Sequence, residues 1–136
     1  SKFNILIMWE TLPVNYKEFN FKRTTFCVYN LETLQALAKL NKKLKIHLFL
    51  NTWMNREWID ADLLPNALEF LKDYPKITIE WVMSHLFSTN KLDIEKQVDA
   101  FKMMYAQILD YWHVPTYRHI WASTWVLKLQ DDFFNA

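Results

Sequence analysis

The sequence predicts an α/β fold built from parallel βα units, and three observations carry that expectation. Strand-like and helix-like segments alternate along the chain. Lys45 to Leu50 is a nearly continuous apolar run, as expected of a strand in a sheet buried on both faces. Val98, Phe101, Tyr105, Ile108 and Trp112 recur at three- and four-residue steps, the stripe of a helix that covers such a sheet. Either an open doubly wound sheet or a partial barrel satisfies this order.

Each element has a local reason. Phe3 to Met8 is an apolar run of strand length, and Val14 to Asn30 reads as an irregular loop. Asn30 can cap a helix that carries Leu31, Leu34, Leu37 and Ala38 on one side and ends near Asn41. Pro65 suits the first turn of a second helix through Leu68, Phe70 and Leu71, which Pro75 stops. Ile77, Ile79 and Trp81 alternate with Thr78 and Glu80, a strand signature. Asp93 caps the third helix, which leaves Glu95, Lys96, Asp99 and Lys102 outside. Thr116 to Trp121 reads as a fourth strand and Trp125 to Phe134 as a final helix.

Composition sets the outer bounds. With 136 residues, 51% of them hydrophobic, the chain is expected to form one domain over 1–136 with a sizeable core. The 7 Trp, 10 Phe and 6 Tyr exclude disorder and are mostly core, with a few rings available to line a cleft. A net charge of +1 gives no basic footprint for nucleic acid. Apolar runs fall far short of the ~20 residues of a membrane span. Cys27 stands alone, so no internal disulfide and no cysteine-based zinc site is possible, and it reads as a small core residue.

There is no glycine. That rules out a P-loop, a dinucleotide-binding G-x-G-x-x-G, a G-x-S-x-G nucleophile elbow and an EF-hand loop. It also raises the possibility of an engineered α/β domain without evolved function.

Three segments occur in an informative order: Ile7-Met8-Trp9-Glu10-Thr11-Leu12-Pro13, Ser84-His85-Leu86-Phe87-Ser88-Thr89, and Tyr117-Arg118-His119-Ile120-Trp121-Ala122. Together they resemble the T-F-D-D-G-P, S-H-x-[YF]-S-H and R-x-P-[YW]-G motifs of the NodB-type polysaccharide deacetylases, carbohydrate esterase family four. Lys45 to Thr52 and Leu64 to Leu68 fall where that family has a K-A-T-F-F-V-x-G strand and a Y-P-E-L-V helix start. The resemblance runs from Ile5 to about Phe133. It favours a distorted or partial (β/α) barrel, with the family's later motifs beyond Ala136.

The resemblance implies a site. Glu10 falls on the proton-accepting carboxylate, and Arg118 on the arginine that braces it. His85 falls on a metal-binding histidine, while Thr11 and Thr89 stand at the other two ligand positions. Trp9 and Trp121 would line a sugar groove. One strong ligand of three makes no tight zinc site, so no cofactor is expected as the chain stands; zinc is expected only if other ligands serve. His47, His113 and His119 have no metal-ligand spacing and read as core or surface histidines. Leu12, Thr52 and Ala122 stand where the family uses glycine, so side chains there would be costly if φ were positive.

The implied function is that of a metal-dependent deacetylase of N-acetylated glycans, impaired in metal binding. The alternative on the same fold is a non-catalytic module that binds glycan or protein. The family resemblance implies a secreted or cell-envelope location, although no signal peptide is seen.

Overall fold

The computed structural model describes residues 3–9, 11–52, 58–87, 90–121 and 133–135. Five strands form one parallel sheet: β1 (Ile5–Ile7), β2 (Thr24–Val28), β3 (Leu44–Phe49), β4 (Ile77–His85) and β5 (Tyr117–Trp121). A 3₁₀ turn over Pro13–Glu18 joins β1 to β2, and the later crossovers run through α1 (Leu31–Lys39), α2 (Leu64–Lys72) and α3 (Lys91–Asp110). Each strand pairs with the next in parallel.

The order β1-β2-β3-β4-β5 decides between the two predicted architectures. A doubly wound sheet reverses direction part-way and carries helices on both faces. Here every crossover steps the same way, and crossovers of one hand then place all helices on one face. The bare face curls inward, and the sheet is half of a (β/α) barrel.

The core lies between the convex face and the helices. Phe26, Val28, Leu44, Ile46, Leu48, Ile79 and Val82 from the strands meet Leu34, Leu37, Leu64, Leu68, Leu71, Phe101 and Ile108 from the helices. In this half-barrel Ile46 and Leu48 face the helices, while His47 and Phe49 face the curl. This is why Lys45–Leu50 reads as a continuous apolar run. Among the described residues, no helix is long and apolar enough to cross a membrane.

Several local expectations hold. Asn30 caps α1 by accepting the Thr33 amide at 2.8 Å. Pro65 sits in the first turn of α2, which ends before Pro75. Others are corrected. The segment read as an irregular loop holds β2, whose Thr24-Thr25-Phe26-Cys27-Val28 is buried throughout. Its two threonines hide the apolar run, although β-branched residues suit a strand. The cap of α3 is Asn90, whose side chain accepts the Leu92 amide at 2.9 Å; Asp93 lies in the first turn instead. Trp112 does not continue the buried stripe: it follows the helix, at φ 66° and 92% exposed. Most of the predicted final helix lies outside the described residues, and 133–135 is not helical.

Glycine's absence is felt only where positive φ occurs, and among the described residues that means Asn41 (φ 50°) and Trp112. Both directly follow a helix cap, the position where glycine is usual. Leu12 has φ −56° and Thr52 is not among the positive-φ residues, so neither carries the predicted strain.

Candidate functional site

The concave face is the part of the fold that no helix covers. Strand alternation places Thr25 and Cys27 of β2, Lys45, His47 and Phe49 of β3, Trp81 and Met83 of β4, and Tyr117 and His119 of β5 on it. A register shift between Ile46 and His47 sets His47 opposite Trp81 rather than Glu80. That bulge turns both Glu80 and Trp81 towards the curl.

Towards the N-terminal ends of the strands, the Glu80 carboxylate takes hydrogen bonds from the Lys45 ammonium and from the Thr25 hydroxyl, the latter at 3.0 Å. Rings fill the middle. His47 and His119 meet with their Nε2 atoms 3.1 Å apart. Trp81 packs 5.5 Å from each imidazole and 4.1 Å from Tyr117. Towards the C-terminal ends, Phe49 contacts Tyr29 and Trp58, and packs with Cys27 and Met83.

Burial sets the charge of this wall. His47 is fully buried, and desolvation, with a smaller repulsion from His119, pushes its pKa down to about 3. Burial lowers His119 as well. Both rings are therefore neutral near pH 7, and one must donate to the other. Nδ1 of His47 is buried without a partner among the described residues. An orphaned N–H costs more than an orphaned lone pair. Of the two tautomers this contact allows, the one that puts the His47 proton on Nε2, donated to Nε2 of His119, avoids that cost. Burial also raises the Cys27 thiol to about 12, against a smaller opposing hydrogen bond from Tyr29, so it is no nucleophile.

The residues singled out from sequence do not converge. Glu10 and Thr89 lie outside the described residues. Thr11 lies beyond the end of β1 and His85 closes β4, with β2 and β3 between those two strands. Nδ1 of His85 is 2.9 Å from the Leu86 carbonyl oxygen. Trp9 is 85% exposed, and Trp121 ends β5 opposite His85. Arg118 points to the helix side: its guanidinium donates to the Phe133 carbonyl and lies 5.0 Å from the Phe133 ring and 5.5 Å from the Tyr105 ring. No group of three metal-ligating side chains occurs among the described residues.

Comparison with known proteins decides the family. The profile described as "Alanine racemase, N-terminal domain" matches residues 2–136. The chain belongs to that family. Alanine racemase of Helicobacter acinonychis (strain Sheeba) is 27% identical over 98% of this chain and 38% of its own length. That of Citrifermentans bemidjiense is 28% identical over 79% of this chain and 32% of its own. Among solved structures, alanine racemase from Bacillus anthracis with bound L-Ala-P superposes at TM-score 0.81 and 21% identity, over 98% of this chain and 36% of that one. The enzyme from Clostridium difficile 630 gives 0.78 and 20%, over 94% and 36%. The chain thus spans under two fifths of the length of these relatives.

The alanine racemase match overturns the deacetylase resemblance, the glycan hydrolase function and the expectation of no cofactor, or else of zinc, since alanine racemases use pyridoxal phosphate. The physical reason is shared architecture. Ser84-His85 closes a parallel strand, and the match to the deacetylase motif rests on that strand-end position. What the sequence reading passed over is the pair of His47 and His119. Its signal was a polar residue at an alternate position of each of two strands, one of them otherwise apolar. That pattern marks a polar group facing a barrel interior.

Proposed function

We propose that this chain builds one half of the barrel wall of an alanine racemase-type protein and that the whole protein racemises a small amino acid. The observation that carries this reading is the family match along residues 2–136, on a half-barrel whose bare face is lined by rings. Alanine racemases use pyridoxal phosphate. Such enzymes bond the cofactor covalently to a lysine and tune its ring through a charged partner.

The described residues do not fit the anchoring role. Barrel chemistry sits at the C-terminal ends of the strands. Among the described residues, Lys45 is the only lysine within a strand, and it lies near the opposite end, held by Glu80. Lys91 opens α3 but is exposed and faces Glu95 at 3.9 Å. What the described residues offer is a neutral, flat, largely apolar wall. No chemical step is assigned to them.

The test uses the protein as it is naturally made, incubated with pyridoxal phosphate and L-alanine. Chiral chromatography should detect D-alanine, and the cofactor's absorbance should shift on binding. A folded protein that binds the cofactor but racemises no amino acid would overturn the activity. One that binds no cofactor would make this a cofactor-free relative on the same fold.

A further inference from the structure

At the opposite end of the half-barrel from the strand C-termini lies a cavity of about 690 Å³. It is formed where the chain enters β2 and β3. Phe19, Phe21 and Leu44 make its apolar floor, and Lys22, Lys42 and Lys43 stand on its rim. Phe19 and Phe21 are fixed in place by packing on the buried Phe26 ring, at 5.5 and 6.1 Å.

The charge balance of this cavity is one-sided. Among the described residues, no acidic side chain lines it. Lys45, also in the lining, is neutralised by Glu80. Among the described residues, Lys22, Lys42 and Lys43 have no carboxylate within 4.0 Å. Three like charges thus surround low-dielectric walls in a chain whose net charge is only +1. Such an arrangement focuses positive potential into the hollow. Its volume falls within the ~300–1,000 Å³ of small-molecule sites.

From this we infer a second binding site, for a small organic anion with a flat apolar body: ring faces lie on Phe19 and Phe21, and the acid group meets the lysine rim. It is independent of the racemase reading, because it lies at the end of the sheet that barrel enzymes leave free of chemistry. The neutral ring wall of the concave face offers an anion nothing comparable.

Two fluorescent probes with nearly the same body separate charge from hydrophobicity: 8-anilinonaphthalene-1-sulfonate and uncharged N-phenyl-1-naphthylamine. The sulfonate should bind about tenfold more tightly than the neutral probe, as one charge-assisted contact allows. Inorganic pyrophosphate should displace it. The triple variant Lys22→Ala/Lys42→Ala/Lys43→Ala should bring the two probes to similar affinity. A control, Lys91→Ala/Lys96→Ala on α3, should leave the tenfold preference in place. Equal binding of both probes to the unaltered protein would overturn the inference, and so would a preference that survives the triple variant. Each comparison is a ratio within one protein, so a general loss of stability does not mimic the expected result.

Discussion

His47 and His119, on strands separated by β4, join Nε2 to Nε2 at 3.1 Å inside the curl of the sheet. The pair holds together because burial keeps both rings neutral. A free histidine titrates near 6.5, whereas the folded His47 does so at about 3. Between those values the unfolded chain binds a proton that the folded chain refuses. Stability is therefore complete above about pH 6.5 and falls as the pH drops towards 3, by up to about 1.4 kcal/mol per unit for one such group. His119 acts in the same direction. Urea unfolding followed from about pH 7 to 4 should show this slope, and His47→Phe should flatten it by about one proton. A variant with the unaltered slope would place the proton uptake elsewhere.

Trp112 closes α3 in the left-handed region. Its amide donates to the Leu109 carbonyl at 2.9 Å, and the His113 amide donates to that of Ile108 at 3.3 Å. This is the Schellman pattern, with a bulky residue where glycine has no steric cost. The ring is 92% exposed, so removing it forfeits little burial. Trp112→Gly should stabilise the domain by about 1 kcal/mol, read as a higher urea midpoint at unchanged slope. A lower midpoint would mean that the indole holds something in place.

The contrast between β2 and α1 shows what the sequence could reveal. α1 declares itself by a cap and a four-residue step, both local, and the structure agrees with the prediction. β2 is defined by neighbours instead: Thr25 is tolerated in a buried strand because Glu80, fifty-five residues away, accepts its hydroxyl. The barrel interior was hidden for the same reason. His47 is unremarkable alone and becomes informative only when β5 brings His119 to it. The Ser84-His85 match misled because a strand-end motif identifies a place in a βα unit, not a chemistry.

Gln97 stitches the end of β4 to α3. Fully buried, it accepts the Phe87 amide at 3.0 Å and donates to the Asp93 carbonyl at 3.1 Å. Gln97→Leu keeps the volume but leaves the Phe87 amide unanswered, while the Asp93 carbonyl keeps its helical bond from the Gln97 backbone, a loss of about 1–3 kcal/mol. The Phe87 amide should also exchange with solvent faster than the amides of β3. If Phe87 stays as protected as before, the side chain does not control that loop.

Asn135 occupies the outer edge of β5. Its side chain accepts the Arg118 amide at 2.8 Å and donates to the Thr116 carbonyl at 3.0 Å, while its own amide reaches the Arg118 carbonyl at 3.1 Å. Among the described residues, these bonds occupy part of the row of donors and acceptors that β5 presents on its outer side. Asn135→Ala removes the two side-chain bonds, about 1 kcal/mol of net stability, and bares the Arg118 amide. Urea unfolding should then show a lower midpoint at unchanged slope, and the Arg118 amide should exchange with solvent faster than in the unaltered chain. Asn135→Asp keeps the acceptor for Arg118 but cannot donate to Thr116, so it should fall between the two. If alanine and aspartate behave alike, the Arg118 amide is not the group that matters.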